Sequence, residues 1–323
     1  MEKELTDFFK DKKVLILGFG REGRTTYEFL KNKVPSAEIT VADAKEQKLT
    51  SVSPCGCVSF EPFECKTIFG EHYMDDLGGY DIIMKSPGIP ILKDYGEEVE
   101  NKITSQTDLF LRFCPATVIG ITGSNGKTIV KEWLHQLLSP ERVIVRSPRS
   151  YNSQIGVPLS VWQMNEQSEL AIFEAGISEM GEMRALQNII KPTIGILTNI
   201  GGAHQENFFS LQEKCMEKLS LFKNCDVVIY NGDDEFISNC VAKSMLSARE
   251  IAWSRKDMER PLFISKVEKK EDCTVISYRY LEMDNTFMLP FIDDASIENS
   301  LNCLAACLYL MLPAEKITER MTT

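Results

Sequence analysis

The sequence predicts an α/β protein, with two doubly wound parallel sheets in tandem and a small antiparallel β extension on the second. Three observations point there. Short apolar runs that read as buried parallel strands alternate with helical stretches over most of the chain. Two of those strands run into glycine-rich turns that open a helix. A length of 323 residues suggests about two domains, and Pro115 stops a helical segment just before a new strand.

Val14-Leu15-Ile16-Leu17 is the first strand and ends in glycine. The turn Gly18-Phe-Gly-Arg-Glu-Gly23 leads into a helix over about 24–32, and Ile39-Thr-Val-Ala42 is a second strand closed by Asp43. A later strand, Tyr80-Asp-Ile-Ile-Met84, runs into the turn Ser86-Pro-Gly-Ile-Pro90. Residues 103–116 read as a helix and its exit, which places the domain boundary near 114–117 and gives domains 1–116 and 117–323. In the second domain, strands are expected at 117–121, 142–146, 170–174, 193–198, 226–230 and 249–253. Helices near 127–138, 154–164, 179–190, 209–222 and 234–246 separate them. Short strands at 262–264, 274–278 and 286–289 form the extension, and a helix at 297–312 follows. Trp133 and Trp162 read as core.

Hydrophobic residues are 43% and charged residues 26% of the chain, as in a folded globular protein. No apolar stretch approaches the ~18 residues of a membrane span, and the charged start MEKELTDFFKDKK lacks the apolar core of a secretion signal. The net charge of −11 argues against nucleic acid as a partner, yet backbone amides can still hold one small anionic ligand. Ten cysteines are too sparse for a disulfide scaffold, so free thiols in a reducing cytoplasm are expected. Cys55, Cys57, Cys65 and His72 fit no standard zinc spacing.

The strongest motif is Gly120-Ile-Thr-Gly-Ser-Asn-Gly-Lys-Thr128, a strand running through a small-residue loop into a helix. Loop amides and the helix N-terminus suit phosphate oxygens. Lys127 can reach the terminal phosphates and the Thr128 hydroxyl can bind Mg²⁺. The usual first glycine of such a loop is replaced by Ile121. Gly18, Gly20 and Gly23, with Asp43 about twenty residues on, form a dinucleotide-type fingerprint. A ligand-free tight turn is the alternative for both. Glu174 ends the apolar run Leu170-Ala-Ile-Phe-Glu174, at the edge where parallel sheets place functional groups. His204 follows an apolar strand in Thr198-Asn-Ile-Gly-Gly-Ala-His-Gln-Glu206, where a metal or catalytic role competes with a structural one. Lys218, from spacing alone, reads as a solvated lysine.

Together these motifs resemble the Mur ligases, ATP-dependent amide-forming enzymes of bacterial cell-wall precursor synthesis. The resemblance rests on Thr122-Gly-Ser-Asn-Gly-Lys-Thr128, Tyr151-Asn-Ser-Gln-Ile-Gly-Val-Pro158, Glu174, Thr198-Asn-Ile-Gly-Gly-Ala-His204 and Glu298-Asn-Ser-Leu-Asn302. Residues 1–116 look like the D-glutamate-adding branch, through Gly18–Arg24, Lys85-Ser-Pro-Gly-Ile-Pro90 and Ile103-Thr-Ser-Gln-Thr-Asp-Leu-Phe-Leu111. Residues 117–312 look more like the D-alanyl-D-alanine-adding branch. A natural hybrid, a fused chain and a divergent member are all open. The family's third, C-terminal domain has no counterpart in this sequence, so the chain is expected to correspond to the first two.

The resemblance implies a Rossmann-like front domain that holds the UDP end of a UDP-N-acetylmuramoyl peptide, and a central ATPase domain. It implies ATP and Mg²⁺ as cofactors, an amino acid or dipeptide as co-substrate, a cytoplasmic location and a monomer. By motif position, Gly123, Ser124, Asn125, Gly126, Lys127 and Thr128 would cradle ATP, with Lys127 on the β/γ-phosphates and Asn299 and Asn302 near the adenine. Thr128, Glu174 and His204 would ligate Mg²⁺. Lys218 falls where many members carry a carbamylated, metal-holding lysine. Gly18, Gly20, Gly23, Arg24 and Asp43 would shape the UDP pocket, and Asn152 would contact substrate. The implied reaction is transfer of the γ-phosphate to a carboxylate, then attack of an amine on the acyl phosphate. Most simply this joins D-glutamate to UDP-N-acetylmuramoyl-L-alanine. Addition of D-alanyl-D-alanine to the tripeptide precursor, a nucleotide-binding fragment without turnover and a nicotinamide-dependent dehydrogenase are the alternatives.

Overall fold

The structure, a computed structural model, describes residues 2–52, 58–91, 95–114, 116–202 and 207–322. It divides into two compact units, Met1–Cys114 and Pro115–Thr323.

The first unit runs α1 (Glu2–Phe9), β1 (Lys13–Leu17), α2 (Arg21–Lys33), β2 (Glu38–Asp43), β3 (Leu49–Val52), β4 (Val58–Glu61), β5 (Lys66–Phe69), β6 (Ile82–Lys85), α3 (Glu97–Glu100), β7 (Ile103–Thr104) and α4 (Gln106–Phe113). Its parallel sheet has the order β5-β2-β1-β6-β7. β1 lies at the centre, with Val14 to Leu17 wholly buried, because a parallel strand is covered by helices on both faces. The segment 103–116, expected to be a helix with its exit, opens instead with the two-residue strand β7 before α4. Ser105 caps α4 by accepting from the Asp108 amide.

The second unit runs β8 (Thr117–Thr122), α5 (Lys127–Leu138), β9 (Ile144–Arg146), α6 (Gly156–Val161), β10 (Leu170–Glu174), α7 (Glu182–Ile190), β11 (Ile194–Leu197), α8 (Leu211–Leu219), β12 (Val227–Asn231), α9 (Glu235–Ser244), β13 (Arg249–Ser254), β14 (Leu262–Lys269), β15 (Thr274–Tyr280), β16 (Met283–Leu289), α10 (Asp294–Tyr309) and α11 (Ala314–Met321). Nine strands make one sheet, β16-β15-β14-β13-β12-β11-β8-β10-β9. The expected antiparallel extension is therefore continuous with the main sheet. β14 joins β13 in parallel through Trp253 and Ser254, and β15 and β16 add antiparallel hairpins. α10 packs against α5 and the sheet, with Leu301, Cys303, Leu304, Ala305 and Ala306 wholly buried. Trp133 packs at the edge of this core, stacked on Phe291. Trp162, expected in the core, is 70% exposed because it follows the end of the short helix α6 and points outward.

Strand order places the site. From β8 the chain crosses to β9 on one side and returns through β10, then reaches β11 on the other side of β8. The carboxyl ends of β8, β10 and β11 thus surround the switch in winding where open α/β sheets bind ligands.

Candidate functional site

β8 delivers Thr122 into the loop 123–126, and α5 starts at Lys127 behind Gly126, which is left-handed at φ +81°. Gly123 has φ +149°, and a Cβ there would stand 2.0 Å from Thr198 Oγ1. The loop after β11 braces this turn. The Ser124 amide donates to Asn199 O (2.9 Å) and the Asn125 amide to Asn199 Oδ1 (2.9 Å), while the Gly201 amide donates to Ser124 Oγ (2.8 Å). Thr198 Oγ1 donates to Asn125 O at 2.5 Å. Lys127 bends back over its own loop, donating to Gly123 O at 2.8 Å.

Glu174 ends β10 one strand away and is wholly buried. Its Oε2 accepts from Thr128 Oγ1 at 3.0 Å. Its amide donates to Ser147 Oγ at 3.1 Å. Lys131 Nζ is 2.9 Å from its Oε1, close enough to pair the charges although no hydrogen bond forms at that oxygen. A hydroxyl and a carboxylate side by side, one oxygen lacking a hydrogen bond, are hard donors suited to Mg²⁺, which usually takes one or two protein oxygens and fills its shell with water and phosphate. Thr128 and Glu174 therefore fit that ion.

Lys218 is only 3% exposed. This overturns the solvated reading that spacing alone suggests. A reciprocal cap fixes its helix: Ser210 Oγ accepts from the Glu213 amide (3.1 Å) and Glu213 Oε2 from the Phe209 amide (2.8 Å). Lys214 and Lys218 then share one face of α8. Lys214 Nζ donates to Gly201 O (2.6 Å) and Lys218 Nζ to Gly123 O (3.2 Å). Burial lowers the pKa of Lys127, with the Lys214 ammonium adding to the effect. Lys218 is pulled down to about 7, first by burial and then by the neighbouring Lys127 and Lys214 ammonium groups.

That depression has a consequence for stability. Between about pH 7 and the ordinary lysine range near 10.4, the folded chain holds fewer protons on Lys218 than the unfolded chain. Stability contributed by this group therefore rises with pH across that window, and below pH 7 the cost of burying the ammonium is present in full. Lys218→Met is expected to stabilise the protein by at least ~1 kcal/mol at pH 6, with the gain shrinking as pH rises towards 9.5. Denaturant melts in CO₂-depleted buffer check this; a gain independent of pH would sink it.

A cavity of about 300 Å³ opens beside the loop, lined by Gly123, Lys127, Asn152, Ser178, Glu182 and Lys218 among others. Asn152 packs over Gly176, where a Cβ would meet its Oδ1 at 2.8 Å. Asn299 abuts the phosphate loop, since a Cβ on Gly126 would meet its Oδ1 at 2.4 Å. Asn302, expected near the adenine, is wholly buried, and its Oδ1 accepts from Trp253 Nε1 at 2.9 Å. That oxygen is committed to tying α10 to β13. His204 lies outside the described residues, as do Cys55 and Cys57. Cys65 is half-buried, and His72 bonds Asp75 at 2.7 Å.

In the first unit the five expected residues come together. The Phe19 amide donates to Asp43 Oδ2 (2.7 Å) and the Lys45 amide to Asp43 Oδ1 (2.9 Å). Gly23 sits so close to Gly18 that a Cβ would strike its carbonyl at 2.1 Å, which sets α2 tightly on β1. Gly20 opens α2 with space around it. Arg24 lies over the Phe19 ring and donates to Lys48 O (2.9 Å) and Gln47 Oε1 (3.2 Å).

Residue-by-residue reading missed Lys131, Lys214, Ser147 and Gln106, whose amide donates to Glu22 O, Thr25 Oγ1 and Thr26 Oγ1. Helical spacing offered a signal for two of them: Lys131 is one turn past Lys127, and Lys214 one turn before Lys218.

Residues 121–307 match the family described as the Mur ligase middle domain. The chain is 29% identical over 233 residues to UDP-N-acetylmuramoyl-tripeptide–D-alanyl-D-alanine ligase of Bacillus subtilis, covering 69% of this chain and 49% of that protein. It is 25% identical over 313 residues to UDP-N-acetylmuramoylalanine–D-glutamate ligase of Clostridium kluyveri, covering 92% of this chain and 65% of that protein. The chain thus spans about half the length of the first relative and just under two thirds of the second. In fold it is similar to the crystal structure of MurF ligase from Thermotoga maritima in complex with ADP, with a TM-score of 0.58 at 17% identity over 97% of this chain and 64% of that one. With the middle-domain match spanning more than half of its residues, the chain belongs to the Mur ligase family.

Proposed function

We propose that the chain binds ATP at the 123–128 loop and serves an ATP-dependent ligase reaction that joins an amino acid to the carboxylate of a UDP-N-acetylmuramoyl peptide. The observation that carries this reading is the convergence of Lys127, Thr128, Glu174 and Lys218 on one loop at the switch point of the sheet. Several buried ammonium groups around a single buried carboxylate suit a polyphosphate. A structure of similar fold was solved in complex with ADP, which supports nucleotide binding by a chain of this fold. The nicotinamide-dehydrogenase reading leaves both the phosphate loop and the ligase relatives unexplained.

In this reading the loop amides and the start of α5 hold the phosphates, and Lys127 swings from Gly123 O to the β/γ-phosphates. Thr128 and Glu174 hold Mg²⁺. His204 is assigned to a second Mg²⁺ by motif position. When bound, that metal screens the charge between the γ-phosphate and the acceptor carboxylate. Lys218 is suited to a carbamate: its amine loses a proton near neutral pH, and a neutral amine adds CO₂ with release of a proton, converting a cation into a metal-binding acid. Asn152 faces the acceptor from the cavity wall, and Asn299 faces the nucleoside. In the first unit Gly18, Gly20, Gly23, Arg24 and Asp43 hold the UDP end, with the α2 N-terminus facing its diphosphate.

The preferred reaction is D-glutamate addition to UDP-N-acetylmuramoyl-L-alanine, supported by a match to a D-glutamate ligase that covers 92% of this chain. The second reading, D-alanyl-D-alanine addition to the tripeptide precursor, is favoured by the Bacillus subtilis relative. A monomer working in the cytoplasm completes the proposal. The test is ATP-dependent phosphate release and product mass with each acceptor and amine pair. It is run on the chain alone and with the remaining portion of a relative added in trans. UDP-N-acetylmuramoyl-L-alanyl-D-glutamate is the expected product. Neither product, together with no heat of ATP binding, would remove the ligase reading; binding without product leaves a nucleotide-binding fragment.

A further inference from the structure

Lys131 is as deeply buried as Glu174, yet the proposed chemistry gives it no task. It shares the face of α5 that carries Lys127 and Thr128. Its ammonium donates to Ser147 O at 2.8 Å and to Arg149 O. It also lies 2.9 Å from Glu174 Oε1 and 3.1 Å from Glu132 Oε1. Burying an ammonium is costly unless it is paired and hydrogen-bonded, and this one meets acceptors from three segments. Ser147 is wholly buried as well and bonds both ways to β10: its amide donates to Ile172 O and its hydroxyl accepts from the Glu174 amide.

We propose that Lys131 is a positioning residue for the divalent cation of the nucleotide, holding Glu174 at one oxygen while Thr128 holds it at the other. The inference rests on the ATP-site reading above. Each carboxylate oxygen has two lone-pair directions. Thr128 Oγ1 donates to Oε2 and the Lys131 ammonium stands 2.9 Å from Oε1 as an ion pair, so each oxygen has a neighbour that restrains the carboxylate's orientation while Oε1 keeps its lone pairs free of hydrogen bonds. The same ammonium ties down the chain after β9, which leads to Asn152.

A purely structural lysine would alter stability and would change nucleotide affinity equally with and without metal. A positioning residue changes only the part that depends on metal. ADP affinity is therefore measured by calorimetry in Mg²⁺ and in EDTA. In Lys131→Met the metal-free affinity is expected to stay within twofold of the original, while the gain on adding Mg²⁺ falls at least tenfold. Lys131→Gln keeps a donor for Ser147 O without the charge, so it should show the same loss; it decides the matter if the methionine variant does not fold. In a Glu174→Gln background, Lys131→Met should change the ratio no further, because the two act as one unit. A ratio that is unchanged or increased, or two affinities that fall together, overturns the role of Lys131 while leaving the ATP site intact. An original protein that binds ADP in neither buffer overturns the ATP-site reading as well.

Discussion

Lys127→Met is expected to weaken ATP binding at least ~100-fold, about 3 kcal/mol, with little change in melting temperature. In the proposed reading Lys127 reaches the outer phosphates, and a charge-assisted contact there is worth more than a neutral one. Its ammonium is held by Gly123 O at 2.8 Å and Ser124 O at 3.4 Å. On that reading those contacts would be exchanged for phosphate on binding, at little cost to the loop. Methionine keeps the length of the stem and loses only the charge. A second readout belongs to the same variant. The Lys127 ammonium is one of the charges that pull Lys218 down to about 7, so its removal should raise the Lys218 pKa and narrow the stability window described above from its lower edge. Calorimetry with ATP and Mg²⁺ checks the first effect and pH-dependent melts the second. An ATP affinity within threefold of the original would detach Lys127 from phosphate.

The loop and its flanking elements were legible because their signals are local. β8, β10, β11 and β12 are buried on both faces and so read as unbroken apolar runs. The Gly-Lys-Thr ending carries its own chemistry. The lysines around it were not legible as a group. Burial of Lys131, Lys214 and Lys218 arises only when α5 and α8 meet the loops after β8, β9 and β11, and a lysine code letter looks the same in solvent. Asn302 shows a mixed case: motif position implies a place near the adenine, and packing commits its Oδ1 to Trp253. Edge elements were missed for a related reason. β5 is half exposed along its length and lacks an apolar run, and the pattern of β14 cannot tell that its partner on one side is parallel.

Gly123→Ala is expected to destabilise the second unit by roughly 2–4 kcal/mol and to abolish detectable nucleotide binding. Two costs combine. The backbone stands at φ +149°, where an L side chain is strained. The new methyl would also meet Thr198 Oγ1 at 2.0 Å, so one of the two must move. Thr198 cannot withdraw freely, because its hydroxyl donates to Asn125 O and its chain continues into Asn199, which braces the Ser124 and Asn125 amides. Moving it therefore shifts the very amides that would receive phosphate. The two costs separate in a double variant. Gly123→Ala with Thr198→Ala removes the collision and keeps the strained backbone, so it should recover about half of the lost stability, but not the nucleotide affinity, since the Thr198 brace is gone. Thermal melts and ADP calorimetry on the single and double variants test this. A Gly123→Ala protein that melts and binds like the original would mean that the loop does not hold the tight conformation on which the phosphate cradle depends.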